Sequence, residues 1–423
     1  MVQITSDCFA FGGKLTQIDD ALNLVLNNLR VSAGSEKIIL SRALNKILAE
    51  DVVAPQNVPA ENNSAVDGYA IFFDDLNESG KTKLPVVGKA AAGRPLNCKQ
   101  KRGEAVRIFT GAVMPHGVNS ENPDTVLMQE DCELEDGKVI IPAGIKRGSN
   151  RRLAGEDITS GAHILKEGQR LRPQDIGLAA ATGRAFLRVR RPLRVAVFST
   201  GDEVLNPGDR FARGKIYDSN RFTLLNLLTA LGCEVEDIGV IPDDPRLIEQ
   251  AVLSSVENQD LIITSGGVST GEEDHVKNLI EKTGELLFWR LAIKPGRPVA
   301  LGTLKEAFFI GLPGNPVAAM VTFLIIARPI ILHLSGAKNI HPRPFLGRTD
   351  FEYVKKLERR EYVRVKVRED KTGELFFTKY HKEGAGILSS LVFADGLVEL
   401  PEDATKIRKS DIVKYFPFSE FGI

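Results

Sequence analysis

The chain of 423 residues has few cysteines and no excess of either charge. Its four cysteines, Cys8, Cys98, Cys132 and Cys233, stand singly, with no CxxC pair and no metal-ligand spacing. That argues against a zinc ribbon or a redox motif and reads as free thiols in a reducing compartment. Lysine plus arginine and aspartate plus glutamate number 55 each, so no overall field draws the chain toward nucleic acid or an anionic membrane. An anionic ligand must then be held by local charge and oriented backbone amides. The six histidines contain no HxxxH or HxH pair, which speaks against a zinc hydrolase. GxGxxG and GxxxxGK[ST] are both missing, which disfavours a nicotinamide cofactor and a P-loop nucleotide. The opening stretch, MVQITSDCFAFGGK, lacks the basic and then apolar order of a signal peptide. The most apolar run, residues 317–334, is interrupted by Arg328, Pro329 and His333, which favours a buried core helix over a membrane span. The expectation is a cytoplasmic protein with neither nucleic acid nor membrane as partner.

What the chain does have is a sequence of distinct textures. Its length suggests two to four domains, at roughly 100–200 residues each. Thr16-Gln17-Ile18-Asp19 resembles a capping box with Asp in place of Glu, and Ile18, Leu22, Val25 and Leu29 fall on one helical face. Leu40, Leu44, Ile47 and Leu48 predict a second opening helix. From about Pro55, short apolar stretches alternate with Gly, Pro and Asn turns up to Gly148, the pattern of a small β-rich module. Residues 149–190 then read as a return to the first domain, with a short helix over 173–182. Residues 193–334 alternate strands (194–199, 234–241, 260–264, 307–311) with helices (219–231, 245–258, 273–283), which implies a doubly wound, mostly parallel sheet. After Pro342, Val363, Val365 and Val367 alternate with charged residues, and a small C-terminal β-barrel or sandwich is expected. The fold class is therefore multidomain α/β plus β. A helical N-terminal domain (1–54 and 149–190) carries an inserted β module (55–148), followed by an α/β domain (191–335) and a C-terminal barrel (336–423).

Ligands of open α/β sheets bind beyond the carboxyl ends of the strands. Three glycines and four hydroxyl residues lie in one such loop, between Thr264 and Asp274. Ser265, Gly266, Gly267 and Ser269 there suit a phosphate or other oxyanion; a plain tight turn is the alternative. Carboxylates at the same edge, Asp202, Glu203, Asp243, Asp244, Glu272, Glu273 and Asp274, would repel an anion unless a hard cation such as Mg²⁺ lay between them. Helix capping is the structural alternative for Asp244 and for the run 272–274. Arg290, Lys294 and Arg297, in WRLAIKPGRP, can hold an oxyanion or be ordinary surface charge.

Together the motifs resemble the molybdopterin molybdenumtransferase family, bacterial relatives of the C-terminal domain of gephyrin. SAVDGYA (64–70), RIFTGAVMP (107–115), GEDI (155–158), STGDE (199–203), IYDSNR (216–221), DDP (243–245), SGGVSTGEEDHV (265–276), AIKPGRP (292–298) and GLPGNPVA (311–318) occur in family order. The resemblance implies an enzyme that uses adenylylated molybdopterin, molybdate and Mg²⁺ and releases AMP. It also implies a four-domain homodimer whose cleft lies between subunits, with a molybdopterin adenylyltransferase as a further partner. By motif match, Asp67, Thr110, Asp157, Glu203, Asp243, Asp274, Lys294, Pro313 and Pro316 are its functional positions. Glu203, Asp243 and Asp274 would serve the metal, Ser265 to Ser269 the phosphate, and Lys294, Arg290 and Arg297 the molybdate. Asp67, Thr110 and Asp157 would complete the cleft from the partner subunit. Arg360, Arg364, Ser389 and Ser390 are the barrel's candidates. Two features depart from the pattern. Some relatives carry lysine in place of Arg290 and Arg297, and arginine in place of Leu153 and Ala154. A single-domain adenylyltransferase and a gephyrin-like scaffold are the competing readings.

Overall fold

In a computed structural model, residues 15–268 and 275–423 are described. Helix α1 (Ile18–Asn28) forms where the apolar spacing places it, but without the expected capping box. Gln17 is its N-cap and makes no side-chain cap bond. Thr16 instead joins a parallel bridge to Leu291, with the Ala292 N–H donating to the Thr16 carbonyl at 2.8 Å. Ile18, Ala21, Leu22 and Val25 are sealed in one core with Leu224, Leu228, Val321 and Ile331 of the central α/β unit.

The second expected helix is absent. Residues Ser35–Ile39 are extended and pair antiparallel with Phe186–Arg190. Only a 3₁₀ turn, Leu40–Arg42, follows, and Asn45 has a φ of 63°. Only part of the apolar spacing is used: Leu48 and, partly buried, Leu40 pack with Val52, Leu171, Leu187 and Val189, Ile47 packs elsewhere with Leu332, and Leu44 is exposed. The backbone takes its partners from the returning chain, and that long-range pairing overrides helical spacing. Within the excursion lies a six-stranded sheet, ordered Thr125–Met128, Gly68–Ile71, Ala105–Ile108, Thr82–Ala90, Lys138–Ile141, Glu133–Glu135. A short helix, α2 (Pro173–Ala181), precedes the strand that closes back on Ser35–Ile39.

The central unit contains strands β1 (Arg194–Thr200), β2 (Glu234–Ile241), β3 (Leu261–Ser265), β4 (Glu285–Arg290), β5 (Ile293–Lys294), β6 (Pro298–Leu304) and β7 (Ala307–Leu312). Six of them form one sheet in the order β2-β1-β3-β7-β6-β4, parallel from β2 to β7 and antiparallel beyond. Val195, Ala196, Val197 and Phe198 of β1 are all fully buried, so this inner strand reads as a continuous apolar run rather than an alternation. Helices α3 (Asn220–Leu231), α4 (Pro245–Val256) and α5 (His275–Thr283) lie where the sequence places them. The Asp244 carboxylate accepts from the Arg246 N–H at 2.8 Å and Pro245 sits in the first turn, an N-terminus legible from the dipeptide alone. Gly232, with a φ of 88°, ends α3.

The apolar run is helix α6 (Pro316–Leu334), and it is 83% buried inside the protein. Its middle turn, Phe323–Ala327, is π-helical and immediately precedes Arg328-Pro329. A proline there removes one donor from the helical ladder and crowds the preceding turn, which accounts for the widened turn. Arg328 is 7% exposed and donates to the carbonyls of Ile340 (3.0 Å), Glu420 (3.2 Å) and Phe421 (3.3 Å). Burial pulls its guanidinium down to about 10.

The last unit is a closed five-stranded barrel of β8 (Phe345–Thr349), β9 (Arg360–Glu369), β10 (Leu375–Lys379), β11 (Gly396–Leu400) and β12 (Ile412–Pro417). Closure comes from antiparallel pairing of β9 with β11. Val363 and Val365 face a core of Phe377, Val398, Leu400 and Tyr415. Strand β5 belongs to this barrel's sheet: Ile293 and Lys294 pair in parallel with Arg360 and Glu361.

Arg328→Leu removes the shared donor of three carbonyls, one buried and two part-buried. We expect it to lower unfolding free energy by about 3 kcal/mol in urea titrations. A loss below about 0.5 kcal/mol would mean the carbonyls find other donors.

Candidate active site between the α/β sheet and the barrel

A cavity of about 610 Å³ opens where the carboxyl ends of the parallel strands face the barrel. Thr200, Gly201 and Glu203 line it after β1, Asp243 after β2, Gly266 and Gly267 after β3, and Pro313 to Asn315 after β7. The barrel side brings Tyr353, Glu361, Arg364, Lys379, Tyr380 and Lys382. Gly266 has a φ of 92°, and a Cβ on it would come within 2.7 Å of the Thr200 carbonyl oxygen. Only glycine lets this loop cross the end of β1 so closely. Gly296, at a φ of 104°, meets helix α6 in the same way; a Cβ there would lie 2.4 Å from the Thr322 methyl.

The acidic edge is ordered. The Thr200 hydroxyl donates to Asp243 Oδ1 at 2.5 Å, and the Asp202 N–H to Oδ2 at 3.3 Å. In return the Asp243 N–H donates to Asp202 Oδ1 at 3.1 Å. Asp243 is exposed, and so is Glu203 beside it on the cavity wall. These are hard oxygen donors, the chemistry Mg²⁺ takes. Among the described residues no three His, Cys, Asp or Glu side chains converge as a metal group. Asp274 and Ser269, both expected in the site, lie outside the described residues.

Ser265 is in the expected loop but plays another part. It is 4% exposed and does not line the cavity. Its hydroxyl accepts from Asn220 Nδ2 at 2.8 Å and reaches the Pro313 carbonyl at 3.3 Å, while Asn220 Nδ2 also donates to the Gly314 carbonyl at 2.7 Å. This side chain ties the third and last loops to α3. Pro313 is on the wall; Pro316 starts α6 and is not.

The positive wall differs from the expected one. Arg297 is exposed and off the cavity, and Arg290 lies in β4, also off it. Arg364, one of the expected barrel candidates, stands there with Lys294, joined by Lys379 and Lys382 of the barrel, which the motifs do not mark. Lys379 is paired with Glu383 at 2.7 Å. Arg364 donates to the Ser390 hydroxyl at 3.1 Å and the Gly384 carbonyl at 3.3 Å, and burial pulls its guanidinium below the usual range. Arg360 turns away to Asp19 (2.7 Å) and Glu402 (2.7 Å), which fastens α1 to the barrel. Ser389 meets the Tyr380 hydroxyl at 3.3 Å.

Lys294 closes a three-membered ring. Its Nζ donates to Glu361 Oε2 at 2.9 Å and to the Tyr353 hydroxyl at 3.0 Å, and that hydroxyl donates to Glu361 Oε2 at 3.0 Å. Burial alone would lower the lysine, but the bonds to Tyr353 and Glu361 outweigh it and raise it above its ordinary value. Nothing local marks Tyr353 or Glu361 in the sequence. Glu361 reaches the site through the β5–β9 register and Tyr353 from a short strand paired with Lys406–Ile407, long-range pairings that spacing within one segment does not reveal.

Asp67 and Thr110 come together from distant segments: the Thr110 N–H and hydroxyl both donate to Asp67 Oδ1 at 2.8 Å. Those bonds hold the Asp67 carboxyl below its usual range. Asp157 is exposed, on the loop after Gly155. None of the three lines this chain's cavity, whose described lining begins at Thr200.

Family models match three segments: "MoeA N-terminal region (domain I and II)" over residues 16–183, "Probable molybdopterin binding domain" over 196–333, and "MoeA C-terminal region (domain IV)" over 347–418. A molybdopterin molybdenumtransferase of Haemophilus influenzae is 38% identical over 404 residues, 95% of this chain and 98% of that protein. Another from Nostoc sp. is 32% identical, covering 93% and 92%. The crystal structure of a molybdopterin biosynthesis MoeA protein from Pyrococcus horikosii superposes with a TM-score of 0.80 at 30% identity, covering 96% of this chain and 99% of that one.

Two outcomes are expected. In Thr110→Val, which keeps the backbone donor but loses the hydroxyl, the Asp67 carboxyl should titrate at higher pH by carboxylate NMR than in the wild type. A depressed carboxyl favours its partners above its unfolded pKa and loses them as pH falls through the folded one. The Asp67–Thr110 contact should therefore open on acidification, and earlier in the variant; identical titrations would remove the hydroxyl from the interaction. Gly266→Ala should cost about 1–3 kcal/mol in thermal unfolding, from the left-handed backbone and the carbonyl contact. Wild-type stability would show that the loop yields.

Proposed function

The chain belongs to the molybdopterin molybdenumtransferase family, enzymes that insert molybdenum in molybdenum-cofactor biosynthesis, and we propose that it does so on adenylylated molybdopterin and molybdate in the cavity between sheet and barrel. One observation carries this reading: a cavity of about 610 Å³ that sets acidic loops opposite Lys294, Arg364 and Lys382. That volume suits a ligand larger than a single oxyanion. The substrates bring several phosphate charges and a molybdate dianion into one pocket, which a chain with no net charge can attract only by such local separation.

Gly266 and Gly267 let backbone amides approach the phosphates. Lys294, Arg364 and Lys382 hold molybdate near the dithiolene sulfurs that receive the metal. As water attacks the pterin-side phosphorus, forming a new P–O bond and giving up its proton to solvent, the anhydride P–O bond breaks and AMP leaves with the electron pair on oxygen; these donors meet the developing charge. Glu203 and Asp243 fit Mg²⁺, with Asp243 steadied by Thr200 and the Asp202 N–H, and the motif adds Asp274. Bound there, Mg²⁺ would neutralise phosphate charge and polarise the anhydride. Asp67, Thr110 and Asp157 complete the cleft from the partner subunit of a homodimer. What supports this is their place in the family motifs and their position off the cavity of their own chain. A molybdopterin adenylyltransferase supplies the substrate, and the cytoplasm is the compartment.

Purified protein given adenylylated molybdopterin, Mg²⁺ and molybdate should release AMP only when molybdate is present. Asp243→Asn and Asp274→Asn should each slow that release by at least about tenfold. AMP release indifferent to molybdate would sink the reading. Chains carrying Asp67→Asn and chains carrying Lys294→Ala, each inactive alone, should regain about a quarter of wild-type activity when refolded together. Half the dimers are then mixed, and each mixed dimer holds one intact site. No recovery would place both residues in the same chain's site.

A further inference from the structure

We propose that Glu361 and Tyr353 of the barrel are positioning residues that aim one N–H of Lys294 into the cavity. The proposal rests on the reading of Lys294 as an oxyanion donor. A lysine ammonium has three donors on a flexible stem and is by itself a poorly directed charge. Here two of the three are taken, by Glu361 Oε2 at 2.9 Å and by the Tyr353 hydroxyl at 3.0 Å. Both acceptors are themselves held. Glu361 is 1% exposed, its Oε1 accepts from Arg359 Nη2 at 3.3 Å, and its Oε2 accepts from Tyr353 at 3.0 Å. The backbone is registered as well, because Lys294 pairs with Glu361 across β5 and β9. With two tetrahedral positions occupied on the barrel side, the third N–H points to the open side, where the Lys294 side chain is 44% exposed.

The arrangement divides two roles that a lone lysine would combine. Glu361, shared between Lys294 and Arg359, offsets part of the Lys294 charge, so Lys294 acts chiefly as a directed hydrogen-bond donor. Attraction falls mainly to Arg364, which donates to the Ser390 hydroxyl and the Gly384 carbonyl, and to Lys382 on the same wall. Other charged or titratable groups near the ring are Arg359, which pairs with Glu361, Lys355, which feels the Glu361 charge, Lys379, whose Nζ lies 5.4 Å from the Tyr353 ring centre, Glu383, which pairs with Lys379, and Arg364. The Lys294 Nζ lies at the same 5.4 Å from that ring. The tyrosine is thus faced by two ammonium groups, while burial keeps its hydroxyl neutral and donating.

Two readouts test this. The first is the reactivity of Lys294 toward acetic anhydride across alkaline pH, followed by mass spectrometry in the intact enzyme. In Glu361→Gln, which keeps shape, Lys294 should become reactive at lower pH than in the wild type, and in Tyr353→Phe to a smaller extent. The second is AMP release. Glu361→Gln should lower kcat by about tenfold or more without raising the KM for molybdate, since it adds rather than removes positive charge. Its alkaline limb should move toward neutral pH, and Glu361→Asp should recover part of the rate. A group whose pKa is raised in the folded state keeps its partners at low pH and loses them as pH rises through that value, so the loss belongs on the alkaline side. Unchanged Lys294 reactivity in both variants overturns the positioning role alone. Shifted reactivity with unchanged AMP release overturns the role of Lys294 itself. Should Glu361→Gln not fold, Tyr353→Phe carries both measurements.

Discussion

Two residues of parallel pairing, Ile293 and Lys294 against Arg360 and Glu361, hold the barrel to the edge of the α/β sheet where its parallel strands end. The cavity exists because of this contact. Without it, the loops after β1, β2, β3 and β7 would form an open, solvated rim. Such a short pairing is weak alone, and it is reinforced nearby. Thr16 bridges Leu291, Arg360 grips Asp19 of α1, and Arg328 in α6 binds the Glu420 and Phe421 carbonyls. Each link joins segments far apart in sequence.

The same docking creates the electrostatics. A chain with 55 residues of each charge has no field at long range, yet it places the exposed Glu203 and Asp243 on one wall and Arg364, Lys379 and Lys382 on the other, where Glu361 and Glu383 are tied to lysines. Solvent exclusion between two packed units strengthens such a local separation. It also explains why Lys294 needs a buried carboxylate: an ammonium partly removed from water keeps its proton only with partners in place.

Much of the fold was legible. The strands of the α/β unit, the Asp244-Pro245 helix start and the buried character of α6 follow from local rules: apolar runs, a capping dipeptide and an apolar stretch broken by Arg and Pro. The opening segment was misread where long-range pairing took over. Leu40 to Leu48 has helical spacing, but its backbone partners sit near 165–190, and no local rule sees them. Thr16 was likewise expected as a cap and became a bridge to Leu291. In the site, the loop glycines, Glu203, Asp243, Lys294 and Pro313 were named from motifs and line the cavity. Ser265 was named as well, yet its hydroxyl is turned to Asn220 and Pro313.

The sequence by itself determined which residue types gather at the strand ends, because each loop's composition is local to its own strand and helix. It also carried the family, through motifs kept in order along the chain. Only the tertiary structure decided which cations face those loops. Arg290 and Arg297, close in sequence to Lys294, stay off the cavity, while Arg364, Lys379 and Lys382 arrive from the barrel with Tyr353 and Glu361. The physical reason is that the direction of a side chain depends on strand register and on the docking of separately folded units. Both are set by contacts between residues distant along the chain, which spacing within a single segment does not encode.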